Sequence, residues 1–385
     1  MQSIFQEEAE MNRAGQYITA LNGEAAYKAY HPNPLPPSPG LEMDEELVGL
    51  LAKAHHGLGK LDATSELVPN MDLFLGAYVR KEALLSSQIE GTQATLEDVL
   101  DAEMETSVNL EVGDVINYVH ALNFAIEEMK TLPICNRLLC DTHKVLMQGV
   151  RGQEKNPGEF RNSQNWIGAA GSTIQTARYI PPTVEDMKTA MSDLEKFINL
   201  SEMDILLKAA LAHYQFETIH PFLDGNGRIG RMLIVLMLLN EKALHRPVLY
   251  LSLFLKRNRV EYYDRLGEVR VKGNYEQWVK FFLSGVIETC NDSIQAILTI
   301  NQLIEKDEKM LEGQTETVKR VYQYLKEHPI INIGATAKNV GLSFNTVSNA
   351  VNKLMQFGIL TERTTAARNR VFEYAAYLDV LKSGT

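Results

Sequence analysis

The sequence predicts a mainly α-helical protein whose β structure is confined to short segments. Three observations carry this. Apolar residues step by three and four through much of the chain, as at Val112, Ile116, Val119, Leu122 and Ile126, the period of helices that bury one face. The β-prone, glycine-broken stretches are short and lie near residues 165–176 and 359–374. Hydrophobic residues make up 45% and charged residues 23% of 385 positions, the balance of a globular chain with two or three domains.

Residues 1–8 show no basic region followed by an apolar stretch, so no secretory signal is expected. Cys135, Cys140 and Cys290 are odd in number and lack metal-ligand spacing, which points to free thiols and a cytoplasmic protein. Residues 1–30 mix short apolar groups without a clear period. The proline-dense residues 31–40 read as an extended strap, either a ligand for a proline-recognition domain or an arm lying on its own domain. Helices are expected at residues 44–56 and 70–90.

The second of these ends in Ser86-Ser87-Gln88-Ile89-Glu90-Gly91. Ser86 and Glu90 are four apart and share a face. Gly91 suits the left-handed position just past a helix end. Glu90 then sits at the negative pole of its own helix, unfavourable for a carboxylate without a partner, though a solvated surface glutamate loses little there. From residue 96 to 149 helical stepping dominates, and His143 falls on an apolar face as a packed core histidine. Residues 151–182 break the period. Two β-prone runs bracket Ala169-Ala170-Gly171, which predicts a hairpin, with a plain surface loop as the alternative.

Residues 204–218 form a helix with apolar positions at Leu206, Leu207, Ala210, Leu211 and Tyr214. Residues 232–239 are apolar on all sides, a buried helix far shorter than the roughly twenty residues a membrane span needs; no membrane partner is expected. Residues 248–255 pack on, residues 260–266 open a helix carrying Tyr262 and Tyr263, and residues 277–306 form another that ends in a charged connector. From Gly313 the chain reads as a separate unit of three short helices, two strands and a basic loop. The net charge of −11 is uneven, with +4 on residues 313–385 and −15 on the rest, which fits a distinct module meeting an acidic partner.

Between the helices at 204–218 and 232–239 lies His220-Pro221-Phe222-Leu223-Asp224-Gly225-Asn226-Gly227-Arg228-Ile229-Gly230-Arg231. Gly225 and Gly227 let a ligand approach the main chain closely. A helix starting near Arg228 turns its free N–H groups and positive dipole end toward that turn, where phosphates bind. Arg228 and Arg231 share one face. Asp224 contradicts a simple anion site unless it holds a metal, and Mg²⁺ commonly takes one or two carboxylates plus substrate phosphates. His220 stands where an imidazole can take a proton from a nucleophile. The glycines also spell the dinucleotide fingerprint GxGxxG, but a helix precedes them and no acid follows at the required distance, so that reading is rejected.

This stretch resembles, at every defining position, the signature of the Fic family, HxFx[D/E]GNGRxxR. The resemblance implies a Fic-type helical core and a protein adenylyltransferase, which moves AMP from ATP to a hydroxyl of a target protein. It implies His220 as general base and Asp224 as the Mg²⁺ ligand. It implies Gly225, Asn226, Gly227 and Arg228 on the α- and β-phosphates and Arg231 on the γ-phosphate. The hexapeptide from Ser86 to Gly91 is similar to the family's inhibitory motif [S/T]xxxE[G/N], whose glutamate would pair with Arg231 and hold the enzyme off. The hairpin at residues 165–176 would be the flap on which a target protein docks by main-chain pairing. Tyr262 and Tyr263 would lie near the adenine, although an asparagine that some relatives carry nearby is lacking, so use of CTP, UTP or GTP stays open.

The tail resembles a winged helix-turn-helix. It would expose Asn345, Thr346, Asn349 and Lys353 on its recognition helix, with Arg363, Arg368 and Arg370 on the wing. DNA through residues 343–370 and a protein or dimer surface both remain open as its partner. The expected organisation is an N-terminal strap and inhibitory helical region at 1–105, a Fic core at 106–306 and a winged-helix module at 313–385. A homodimer that covers or frees Glu90 fits this scheme. Competing functions are a DNA-binding regulator whose core senses a nucleotide, an enzyme removing AMP, and transfer of another phosphate-bearing group.

Overall fold

The computed structural model describes residues 12–67, 71–101, 110–150, 152–169, 171–363 and 370–382. The first described element is a hairpin that the sequence pattern did not reveal: β1 (Gly15–Ala20) and β2 (Tyr27–Pro32) pair antiparallel, with Gly15 opposite Pro32 and Ala20 opposite Tyr27. Only a few side chains of the hairpin, chiefly Ala29 and Tyr30, are buried, so the alternation that marks a strand is diluted. The proline-dense strap follows as an arm on its own domain. Arg13 donates to the Gly40 carbonyl at 2.8 Å and pairs with Glu276, and the Glu42 amide donates to Glu276 Oε1 at 2.8 Å.

The helices then run α1 (Glu45–Leu67), α2 (Met71–Ile89), α3 (Leu96–Asp101), α4 (Leu110–Glu128) and α5 (Asn136–Leu146). After the irregular residues 152–182 come α6 (Val184–Leu200), α7 (Ile205–Ile219), α8 (Asn226–Asn240), α9 (Ser252–Arg257), α10 (Arg259–Lys272) and α11 (Tyr275–Met310). Helix α6 escaped the period reading, although Thr183 caps it by accepting from the Asp186 amide. Helix α7 is capped by Asp204, which accepts from the amides of Leu206 and Leu207 at 2.9 and 3.3 Å.

Helices α7 and α8 pack against each other at the centre, and both are buried along almost their whole length. Around this pair, α6 packs on α7, α4 and α5 pack together, and α2 touches α4, α8 and α9. The long α11 lies along α1 and also meets α7 and α10. Among the described residues no helix is long and apolar enough to cross a membrane.

Beyond α11 the chain forms α12 (Glu316–Glu327), β3 (Ile330–Asn332), α13 (Ile333–Val340), α14 (Phe344–Gln356), β4 (Thr361–Glu362), β5 (Val371–Glu373) and α15 (Ala375–Lys382). The three strands form one antiparallel sheet in the order β3-β5-β4. Ser343 caps α14 by accepting from the Thr346 amide at 3.2 Å. Asn345 and Asn349 are exposed, while Lys353 lies over the Phe357 ring at 5.2 Å and Arg370 is held by both oxygens of Glu362. Arg368 and the rest of the basic loop at 364–369 fall outside the described residues. Helix α15, which the sequence pattern did not single out, packs on α11 and α2.

Candidate active site

The turn between α7 and α8 is built by two positive-φ cap residues. His220 ends α7 in the left-handed region at φ 50°, and Gly225 at φ 75° starts α8 without a side-chain cap. The helix therefore begins at Asn226, two residues earlier than the sequence suggested, and its unsatisfied N–H groups belong to Asn226, Gly227 and Arg228. Asn226 is 2% exposed, and its side chain is spent on the turn itself. It accepts from the Phe222 amide and donates to the Phe222 carbonyl, both at 2.8 Å. Its side chain is thus engaged within the turn, which leaves its main-chain N–H for a ligand.

Two residues from the irregular 152–182 segment hold His220. Arg161 and Asn165 donate to the His220 carbonyl at 3.1 and 3.3 Å, and Asn165 also donates to the Phe222 carbonyl at 3.0 Å. These contacts offset part of the roughly 1–3 kcal/mol that a left-handed non-glycine residue costs. Burial pushes the His220 imidazole down to about 4, and the Arg161 charge adds to this against the opposing carboxylate of Glu90. The ring is neutral at pH 7 and can accept a proton. His143, called a packed core residue, is 1% exposed and stacks on Phe222 with ring centroids 3.9 Å apart. Its Nε2 lies 3.0 Å from the Asp224 carbonyl and its Nδ1 accepts from the Gly158 amide at 2.9 Å, so it also shapes the turn.

Asp224 is ionised. Burial opposes its charge, but the Lys155 ammonium at 2.9 Å, the Arg228 charge and the Gly225 amide at 2.7 Å hold it below the usual carboxylate value. An exposed-edge carboxylate already facing a cation fits a divalent ion. Among the described residues no three His, Cys, Asp or Glu side chains cluster to hold one, so the rest of such an ion's shell must come from substrate phosphates and water. Arg228 lies 3.4 Å from Asp114, and both side chains are only 6% exposed. Asp114 sits four residues before the buried Tyr118, a spacing that placed it on the apolar face and could have flagged it. Lys155, Arg161 and Asn165 left no comparable signal.

Arg231 is enclosed. Its Nε donates to Ser86 Oγ at 2.8 Å, and its Nη2 donates to the Ser86 carbonyl at 2.9 Å and to Glu90 Oε1 at 2.7 Å. Burial works against the charge, but Glu90 and Glu217 outweigh it and raise the guanidinium above its ordinary value. Glu90 thereby finds the partner that the end of α2 denies it, and Gly91 follows at φ 103° as the helix-ending glycine. The carboxylate also lies on the first turn of α8: a β-carbon added at Gly227 would come within 2.0 Å of Glu90 Oε1. An anion thus fills the place where the dipole end of α8 favours one. Two more carboxylates, Glu82 and Glu217, stand behind Arg231. Burial pushes each up to about 7.

The remaining expected site residues fare differently. Tyr262 is fully buried, and its hydroxyl lies 2.9 Å from His213 Nε2. Its ring faces Trp278 and Tyr263, so it offers no open face for an adenine. Tyr263 is half-buried and lies near Arg259. Among the described residues the expected hairpin at 165–176 has no paired strands. A single bridge joins Ile167 to Tyr179, and turns fill residues between them; Ala170 falls outside the described residues. The pairing partner of the first run is therefore three residues beyond the expected second run, because the turns at 172 and 176 use up those main-chain groups. Trp166 stands 43% exposed on this loop.

Residues 48–127 match the Fic/DOC family N-terminal region and residues 133–238 match the Fic/DOC family itself. The chain is 30% identical over 246 residues to the protein adenylyltransferase Fic of Drosophila erecta, covering 61% of this chain and 45% of that protein. With its namesake from Drosophila grimshawi it shares 31% over 251 residues, 62% of this chain and 47% of the other. With that of Culex quinquefasciatus it shares 35% over 127 residues, 32% of this chain and 22% of the other. The chain thus spans less than half the length of each of these relatives. Among solved structures, a Fic family protein from Desulfovibrio desulfuricans superposes with a TM-score of 0.56 at 20% identity, covering 87% of this chain and 97% of that one. A Fic domain-containing signaling protein from Bacteroides thetaiotaomicron gives 0.51 at 19% identity, covering 67% and 97%. These two likenesses show a shared fold.

Proposed function

We propose that this chain, whose residues 48–127 and 133–238 match the Fic/DOC N-terminal region and the Fic/DOC family, is a protein adenylyltransferase restrained by Glu90. The observation that carries the reading is the Glu90 carboxylate on the first turn of α8, paired with Arg231 at 2.7 Å. That seat has the donors, the charge and the glycine a phosphate needs, and a side chain of the chain itself is in it.

With the seat vacated, ATP lies with its phosphates on the free N–H groups of Asn226, Gly227 and Arg228 and its γ-phosphate on Arg231. Asp224 is the residue to hold Mg²⁺, which would neutralise charge on the phosphates. A target hydroxyl oxygen attacks the α-phosphorus in line, the bond from that phosphorus to the bridging oxygen breaks, and pyrophosphate leaves. The neutral His220 takes the hydroxyl proton, an effect worth about 10²–10⁴-fold. The loop carrying Trp166 and Ile167 borders the same cleft through Asn165 and is the place for the target's main chain. The +4 charge and the strand and helix order of residues 313–385 support a winged-helix module for docking.

The test is transfer of label from ATP labelled at the α-phosphate, to the chain itself and to proteins of a lysate, by Glu90→Gly and by Glu90→Gly/His220→Ala. Transfer by the first and its loss in the second is expected. Equal transfer by both would remove His220 from the chemistry, and no transfer by either would remove the activity.

A further inference from the structure

The irregular segment between α5 and α6 places an ammonium on the carboxylate that the reading above gives to the metal. Lys155 Nζ lies 2.9 Å from Asp224 Oδ2, while Oδ1 accepts from the Gly225 amide at 2.7 Å. Both oxygens are therefore engaged by the chain itself. Arg228, the other cation beside Asp224, is 3.9 Å from Oδ1 and is already matched by Asp114. Among the described residues Lys155 pairs with no second carboxylate.

The backbone is bent to present it. Gly152 at φ 89°, Asn156 at φ 51° and Gly158 at φ 87° all take left-handed conformations around Lys155, whose amide closes a turn onto the Gly152 carbonyl at 2.9 Å. At Gly152 a β-carbon would come within 2.8 Å of the Met147 methyl and 3.0 Å of Asp224 Oδ2, so the turn can sit this close only with glycine. The Lys155 side chain itself is 43% exposed. It can swing into water without opening a cavity.

We propose that Lys155 is a tethered cation that occupies the divalent-ion position on Asp224 and suppresses metal binding until nucleotide phosphates are present. The proposal rests on Asp224 being the metal ligand. A divalent ion on that carboxylate meets the like charge of an ammonium 2.9 Å from Oδ2, so metal binding works against this ion pair. With a single carboxylate available, the free chain holds metal poorly, and the phosphates of an arriving nucleotide tip the exchange. The chain then charges with metal–nucleotide together rather than with metal first.

The probe is Mn²⁺, with free aquo-ion counted by electron paramagnetic resonance, with and without a non-hydrolysable imido analogue of ATP. The full chain is compared with Lys155→Met, Lys155→Arg and Asp224→Asn, the fold of each checked by thermal melting. Without nucleotide, Lys155→Met binds Mn²⁺ about five-fold more tightly, the fold-change that the coupling of a partly exposed ion pair converts to. Lys155→Arg keeps the weak affinity of the parent, which a merely structural role for the stem would not demand. With nucleotide present, the difference between parent and Lys155→Met narrows. If Lys155→Met binds no more tightly while Asp224→Asn loses binding, the tethered cation is refuted and the metal ligand stands. If Asp224→Asn binds Mn²⁺ and nucleotide as the parent does, both are refuted.

Discussion

Replacing Glu90 with glycine separates the two jobs this carboxylate does. It supplies the charged acceptor of Arg231 at 2.7 Å, with the Arg231 side chain 2% and the Glu90 side chain 37% exposed. A hydrogen bond to a charged group is worth about 1.5–3 kcal/mol, and half-exposure on the Glu90 side favours the lower end. Arg231 keeps Ser86 as acceptor of two bonds, and Glu82 and Glu217 remain nearby, so its charge is not stranded. The fold should lose about 1–2 kcal/mol, partly offset because a carboxylate at the end of α2 costs about 0.3–1 kcal/mol there. The same ~1–2 kcal/mol is what ATP no longer has to displace. At 1.4 kcal/mol per factor of ten, productive binding of Mg-ATP and self-labelling should rise about 5–30-fold. Calorimetry with Mg-ATP and label incorporation read the two quantities, and thermal melting reads the stability. Unchanged affinity together with unchanged labelling would refute the claim that Glu90 occupies the phosphate seat. Glu90→Gln, which keeps the shape but not the charge, should fall between.

Three further outcomes follow from the same geometry. Gly227→Ala in the Glu90→Gly background puts a methyl 2.8 Å from Arg231 Nη1 and onto the phosphate path, so Mg-ATP affinity should drop at least about ten-fold by calorimetry; an unchanged value would move the phosphates elsewhere. Asp114→Ala strands the buried Arg228 guanidinium and should cost about 3 kcal/mol in urea unfolding, and a loss below about 1 kcal/mol would mean that Arg228 is solvated. His220 is held down to about 4 by burial, below its ordinary 6.5, so the folded chain keeps the neutral ring as pH falls. Label transfer by Glu90→Gly should thus stay level from pH 8 to about 5 and fall only as pH approaches the depressed value. His143 and His213 are likewise pushed down to about 4, so the stability these neutral rings contribute above pH 6.5 is lost as pH drops toward 4. A rate break near 6.5 without unfolding would show His220 to be solvated.

The parts of the fold legible beforehand were those with local causes. Helices α7 and α8 announce themselves by period and burial, which are local properties of the chain. The hairpin of β1 and β2 went unseen because few of its side chains are buried, whereas α6 does carry a helical period at Met187, Ala190, Met191, Leu194 and Phe197. Tyr262 shows a different limit. The resemblance placed it near the adenine, but whether an aromatic ring is a platform or core depends on what packs over it, and here Trp278 and His213 do.

The sequence alone determined the cradle, because its histidine, glycines and arginines lie within one twelve-residue turn and connectivity holds them together. Only the tertiary structure decided which charges meet across the chain. Asp114 reaches Arg228 over 114 positions and Lys155 reaches Asp224 over 69, while Glu90 reaches Arg231 over 141, a pair that the resemblance implied and no local pattern gives. Such pairs are set by how α2, α4 and the 152–158 turn pack on α8, and helix packing follows the summed burial of whole faces rather than any local preference of the residues that end up in contact.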